Sequence, residues 1–417
     1  MFMNKIEKKK KILFISYDLN YGGAAQAAYK IIKLLDTTFN YKIVTINGLY
    51  NNLNDFDQLN NNKATNKYFN KFNYILKYIF HFFILKTKYN FTSNYLSIFN
   101  RKIINDYKPD IIFLFNISYN TLSIYDLIKI SKYKATIIWR FSDMWPITGG
   151  CHYTFGCNNF INNNCKDCVA LKRFKLIAYL NFLFKKRILF KNINVITPSE
   201  WLHNIVSNTN KFKSIFLLKT PVNEKVFKCI EVNTINNLIL DKVSNYYILF
   251  GGDNIENNYR KGYETFKNLS NCNFFYQEKK INFLVFGNSK PICNTDNIIY
   301  LGKLNQQYLA TLYNISDMYL NLSFEDNLPN TILEALSCGT KVLTSNVGGV
   351  NDLIVNIPNG IFTIRSFNII DIQQDIIYVL KQKSRKSDIH FMFQNSYSEN
   401  IIKSNYINYI NSVLVNT

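Results

Sequence analysis

Short unbroken apolar runs alternate along this chain with segments of helical periodicity. Lys11-Ile-Leu-Phe-Ile-Ser16 has the unbroken apolar character of a strand covered on both faces. A glycine turn follows, Asn20-Tyr-Gly22-Gly23-Ala24, and small and apolar residues from Ala25 to Leu35 predict a helix. The alternation continues with strands over Lys42–Ile46, Asp110–Asn116, Thr136–Phe141 and Asn194–Thr197. It restarts at Tyr246–Phe250, which runs into Gly251-Gly252, and goes on through Asn282–Gly287, Ile298–Leu301, Met318–Leu322 and Lys341–Thr344. Strands alternating with helices in two successive series predict an α/β protein of two doubly wound, Rossmann-like domains.

The boundary falls between Thr220-Pro221 and the polar segment Cys229–Asn245, giving domains over 1–220 and 221–395. Tyr397, Ile401, Ile402, Tyr406 and Ile410 predict a final amphipathic helix over 396–417 that can cross back to the first domain. Two such domains facing each other would set their strand C-termini around a central cleft, where open α/β sheets bind ligands. No Gly-x-Gly-x-x-Gly follows the first strand, which argues against a dinucleotide dehydrogenase.

Composition sharpens this picture mainly through charge. The 417 residues suit two domains, 47% hydrophobic content permits two cores, and 18% charged residues excludes a disordered polyelectrolyte. Residues 1–220 hold 32 Lys and Arg against 11 Asp and Glu, a balance of +21, whereas residues 221–417 hold 17 of each. A basic first half calls for an anionic partner: nucleic acid, lipid headgroups or a phosphorylated substrate. Residues 1–11 are polar and lysine-rich, and the apolar run Ile12–Ile15 is too short for a signal core. The nearest approach to a membrane span, Phe72–Leu85, is also too short and carries Lys77. The expected location is the cytoplasm, with the eight cysteines as reduced thiols or metal ligands.

The segment Ser323-Phe-Glu-Asp326-Asn327-Leu328-Pro329-Asn330-Thr-Ile-Leu-Glu334-Ala-Leu-Ser-Cys-Gly339 carries the most chemistry. It leaves a strand and opens a helix, with Asp326 or Asn327 as cap, Pro329 in the first turn and Gly339 as stop. The unpaired N–H groups of such a helix start suit sugar hydroxyls or phosphate oxygens. On the residues alone, Asp326 and Glu334 are equally a capping Asp and a solvated Glu, or two acids holding parts of one extended ligand.

The acidic pair with seven residues between its members resembles that of retaining glycosyltransferases with the GT-B fold, family 4. The Asp-Asn-Leu-Pro-Asn form is similar to a bacterial subgroup that builds surface polysaccharide (O-antigen, capsule, exopolysaccharide). The resemblance implies that Glu334 holds the ribose of a nucleotide sugar, that Asp326 lies beside the reacting carbon, and that Asn327, Leu328, Pro329 and Asn330 clamp the sugar. It implies that Gly22 and Gly23 face the donor phosphates and acceptor. Pro198-Ser199-Glu200-Trp201 and Pro221-Val222-Asn223 match the end of the first domain and the connection, and Gly348-Gly349 with Asp352 a further donor loop. Arg260-Lys261-Gly262 resembles the basic element that pairs with the donor diphosphate; Gly251-Gly252-Asp253 stands where the family carries a second arginine. The implied reaction moves a sugar from a nucleotide-sugar donor to a glycan acceptor, lipid-linked in this subgroup, with retention and with no catalytic cofactor.

Trp139 to His152 also matches the subgroup, but Ser142-Asp143 stands where many relatives have His-Asp. Asp143 and His152 are the acceptor-side candidates, His152 as an acceptor-side or structural imidazole. Cys151, Cys157, Cys165 and Cys168, with five, seven and two residues between them, read either as a closed structural zinc site or as a reduced or redox-labile thiol cluster. Two basic-aromatic stretches, Lys67–Tyr89 and Lys172–Lys191, suggest helices lying on an anionic membrane. The first carries Lys67, Lys71, Lys77, Lys86 and Lys88; the second carries Lys172, Arg173, Lys175, Lys185, Lys186 and Arg187. Aromatics among cations also stack nucleobases, and apolar helix faces also pack in cores. No nucleic-acid-binding motif is present, so no nucleic-acid partner is expected, and the protein is expected at the inner face of the plasma membrane. The competing readings are another GT-B enzyme such as a phosphorylase, and a non-catalytic basic nucleic-acid-binding protein.

Overall fold

The computed structural model describes residues 9–46, 90–95, 97, 99–171, 174–188, 192–209, 211–230, 241–287 and 293–415. The chain divides into two compact units, Met1–Lys219 with Lys403–Thr417, and Thr220–Ile402.

The first unit holds β1 (Lys11–Ser16), β2 (Asn40–Thr45), β3 (Ile111–Leu114), β4 (Thr136–Arg140), β5 (Ile193–Thr197) and β6 (Ser214–Leu217). They form one parallel sheet in the order β2-β1-β3-β4-β5-β6. Ile12, Leu13 and Ile15 are fully buried in β1, and all four residues of β3 are buried, as a sheet covered on both faces demands. The order reverses between β1 and β3, so the topological switch point of this sheet lies at the loops leaving these two strands.

The second unit holds β7 (Asn245–Gly251), β8 (Phe275–Tyr276), β9 (Lys279–Phe286), β10 (Ile298–Gly302), β11 (Met318–Asn321), β12 (Val342–Thr344) and β13 (Ile361–Thr363). Six strands run parallel in the order β10-β9-β7-β11-β12-β13, with β8 antiparallel beside β9. Here the order reverses between β7 and β11, which lie side by side with Leu320 opposite Phe250. The loops after Gly251 and Asn321 therefore leave the sheet at its topological switch point.

Three strands, β6, β8 and β13, go beyond the sequence reading. β6 is a half-exposed edge and β13 has only three residues, too short for an apolar run to stand out. The tail is two helices, Lys386–Tyr397 and Glu399–Val415, separated by an extended Ser398. The second of them buries Tyr406, Tyr409 and Ile410 and sets Tyr409 against Phe216 of β6 at 4.4 Å between ring centroids. Among the described residues no helix is long and apolar enough to cross a membrane.

Candidate active site

The second unit's switch point gathers charge from two loops. After β7 the chain reaches the turn Tyr259–Lys261 and then Gly262, whose φ of +73° favours glycine. A Cβ on Gly262 would stand 2.1 Å from the Leu322 carbonyl oxygen, so this turn lies flush on the exit of β11. The Phe324 N–H donates to the Arg260 carbonyl at 2.8 Å and locks the two loops together.

That registration brings both cations onto one carboxylate. Arg260 Nη1 lies 2.8 Å and Lys261 Nζ 2.6 Å from Asp326 Oδ2, and Arg260 Nη1 also donates to the Glu325 carbonyl at 2.6 Å. The three side chains are only 14%, 16% and 7% exposed, so this is a largely desolvated cluster. Burial alone would push the Asp326 carboxyl up, but Arg260 and Lys261 outweigh it and hold the group at about 2. Burial pushes the Lys261 ammonium down, against the pull of Asp326. A carboxyl depressed from 3.8 to about 2 stabilises the fold fully above the ordinary carboxylate range, and that stability fades as pH falls through the folded value. Acid unfolding followed by circular dichroism should therefore show an Asp326 contribution lost between about pH 4 and pH 2, absent from Asp326→Asn. Identical acid limbs for the two proteins would contradict the cage.

The loop bearing Asp326 is held by a second glycine turn. Gly349 N–H donates to the Asn327 carbonyl at 2.8 Å and to that of Asp326 at 3.3 Å. Gly348 has φ +58°, and a Cβ there would fall 1.6 Å from the Asp326 carbonyl oxygen. The helix Asn330–Ser337 begins after an extended Pro329 with no side-chain cap. This corrects the expected capping by Asp326 or Asn327: Asp326 Oδ1 instead accepts the adjacent Asn327 N–H at 2.9 Å, and Oδ2 takes the two cations. Asn327 is buried, while Leu328 and Asn330 are half-buried. Glu334 is buried about one turn into the helix, and its charge adds to burial in pushing up the Tyr313 and Tyr319 phenols.

Residues 264–394 match the family Glycosyl transferases group 1. The matched segment contains Asp326, Glu334 and the Gly348 turn, and starts just after Lys261. No curated protein sequence matches the chain. Among solved structures it is similar to sucrose-phosphate synthase from Thermosynechococcus elongatus, at 14% identity and TM-score 0.65, covering 98% of this chain and 100% of that one. It is similar to HepE from Anabaena in complex with UDP and glucose, at 11% identity and TM-score 0.61 over 97% and 100% of the two chains. It is also similar to WaaG, a glycosyltransferase involved in lipopolysaccharide biosynthesis, at 13% identity and TM-score 0.55 over 92% and 93%. At these identities the shared feature is the fold, which is GT-B, and the match to Glycosyl transferases group 1 lies within the second unit.

The remaining sequence candidates lie in the first unit. Gly22 takes φ +89° directly before the helix Gly23–Leu35, at the end of the loop leaving β1. That loop meets the one leaving β3: Tyr17 N–H donates to the Asn116 carbonyl at 2.7 Å, and the Tyr17 and Tyr119 rings stand 5.2 Å apart. Tyr119 stacks on His152 at 5.4 Å, and His152 Nδ1 lies 2.7 Å from Asp143 Oδ2. His152 Nε2 lies 3.1 Å from Thr92 Oγ1, completing a hydroxyl–imidazole–carboxylate chain. Asp143 is fixed in turn by the Trp145 N–H, 2.9 Å from Oδ1. Sequence reasoning found Asp143 and His152 but not Thr92 or Tyr119, which belong to no motif; Thr92 is brought in by pairing of residues 90–92 with 150–152, and Tyr119 by the loop leaving β3.

The basic-aromatic stretch 67–89 lies outside the described residues, as do Lys172 and Arg173 and the Arg187 side chain. On the helix Lys175–Ile188, Leu176, Leu180 and Phe184 form an exposed apolar stripe, with Lys175 and Lys186 exposed alongside. Lys185 corrects the expectation of a membrane-facing cation. It is buried, donating to the Trp145 and Thr148 carbonyls at 2.6 and 3.2 Å, with Nζ 3.6 Å from the Trp145 ring centroid. Burial pushes its ammonium down to about 7.

Proposed function

We propose that this protein is a retaining glycosyltransferase of family 4, moving a sugar from a nucleotide-sugar donor to a lipid-linked glycan acceptor in surface-polysaccharide assembly. The observation that carries the reading is the meeting of Arg260, Lys261 and Asp326 at the switch point of a sheet whose following helix buries Glu334. A diphosphate is a good leaving group only when its growing charge is met, and two preorganised cations in a largely dry site meet it. Asp326 pairs with both cations, and the incoming diphosphate takes over that pairing. Asp326 is thereby turned towards the sugar, and Glu334 accepts hydrogen bonds from the ribose hydroxyls. The departing diphosphate oxygen guides the acceptor hydroxyl onto the same face, so the protein supplies positioning and electrostatics. The solved complex of HepE with UDP and glucose, on the same fold, favours a nucleoside-diphosphate sugar over nucleic acid as ligand.

The membrane part of the reading rests on the +21 balance of residues 1–220 and on the Leu176, Leu180 and Phe184 stripe. Sedimentation with anionic liposomes should show binding that weakens as salt shortens the Debye length. Neutralising Lys67, Lys71, Lys77, Lys86 and Lys88 together should release the protein while leaving transfer to a short soluble acceptor nearly intact. Tight, salt-sensitive RNA binding with no turnover of any nucleotide sugar would replace this reading with that of a nucleic-acid binder.

A further inference from the structure

The cysteine loop of the first unit has a use that sugar transfer does not require. Cys151, Cys157, Cys165 and Cys168 all line one small cavity, together with Thr148, Thr154, Phe160 and Ala170, whose free volume is about 20 Å³. That is room for roughly one water-sized sphere. Four side chains from an eighteen-residue stretch thus surround a space the size of a single ion.

The cavity's surroundings are built for negative sulfur. The Gly149 N–H donates to Cys165 Sγ at 3.2 Å, and the backbone of Leu171 and Ala170 favours the thiolate form of Cys168. Backbone N–H···S bonds of this kind orient and stabilise metal-bound thiolates. The buried Lys185 ammonium lies near enough to Cys165 and Cys151, as to Asp143, for negative charge there to stabilise it, so thiolates at this site would have a buried cation as partner.

We propose that these four cysteines form a structural zinc site. On binding, four S–H bonds break and four Zn–S bonds form, Zn²⁺ plus four thiols giving a dianionic tetrathiolate and four released protons. No three described His, Cys, Asp or Glu side chains are close enough to hold an ion as they stand. In this arrangement Cys165 is turned to Gly149 and Cys151 to Cys168. Each cysteine has one side-chain torsion with three staggered wells, so rotation about Cα–Cβ is the movement that would bring the sulfurs onto the cavity. The site ties down a loop in which Phe155, Asn164 and Cys165 all take positive φ. The same loop carries Asp143 and His152, so the metal would hold the acceptor-side pair in place.

The test uses the full-length native protein. Elemental analysis after gel filtration should give about one zinc per chain. Replacement by cobalt(II) should give the thiolate charge-transfer and tetrahedral visible bands of a four-sulfur site. Cys229, Cys272 and Cys293 should react with a thiol reagent at once, while the four cluster thiols and the buried Cys338 resist, and a mercurial should release the zinc together with the cluster thiols. Cys165→Ser with Cys168→Ser should abolish the cobalt spectrum; if that variant fails to fold, the zinc content and cobalt spectrum of the native protein still decide. A chain isolated without metal that takes up none on reconstitution would overturn the proposal. So would a Cys151–Cys168 disulfide found by mass spectrometry.

Discussion

Lys261→Ala should lower turnover about 10²- to 10³-fold, the effect of removing one preorganised donor from a developing anion. Nucleotide-sugar affinity should change far less, because the diphosphate carries its greatest charge as it leaves and the lysine is worth most at that moment. The variant should still fold. Asp326 keeps Arg260 at 2.8 Å when Lys261 is removed, so no buried carboxylate is left alone. Steady-state kinetics on a defined donor, with a melting curve as control, separates the two effects. An unaltered kcat would remove Lys261 from the chemistry.

The second large effect concerns backbone. Gly348→Val should destabilise the second unit by about 2 kcal/mol or more and sharply weaken nucleotide binding. A β-branched residue at φ +58° is strained, and its Cβ would sit 1.6 Å from the Asp326 carbonyl oxygen, so the loop carrying Asp326 must move. Gly302→Val is the matched comparison. Gly302 has a similar φ of +66°, yet a Cβ there meets nothing within 4 Å. It should incur the backbone strain alone and leave nucleotide binding intact. Equal nucleotide affinities in the two variants would show that the Gly348 turn does not support a donor site.

Much of the fold was legible because buried parallel strands are written as apolar runs. β1 occupies Lys11–Ser16 as its pattern required, and β7 and β11 differ from their expected spans by only a residue at an end. The strands that escaped notice, β6, β8 and β13, are short and partly exposed, and pairing with neighbours rather than their own pattern makes them strands. At the site, the residue types were visible but not their pairing. Asp326 is 65 positions from Lys261, and only the meeting of the β7 and β11 loops makes them partners. Lys185 is different, because its burial had a local signal. Ala178 and Phe182 precede it by seven and three positions, both are buried, and the three share one helical face. Thr92 had no such signal, since nothing in its neighbours announces pairing with the loop around His152.

If the second unit binds a nucleoside-diphosphate sugar through the Asp326 and Glu334 helix, its nucleotide affinity must run through Glu334. Isothermal titration of the wild type and Glu334→Ala with a panel of nucleoside diphosphates and their sugars tests it most directly. One nucleotide should bind the wild type, and its affinity should fall by about 1.5–3 kcal/mol in the variant as the ribose loses a charged hydrogen-bond partner. No binding across the panel, or equal affinity in both proteins, would contradict the account.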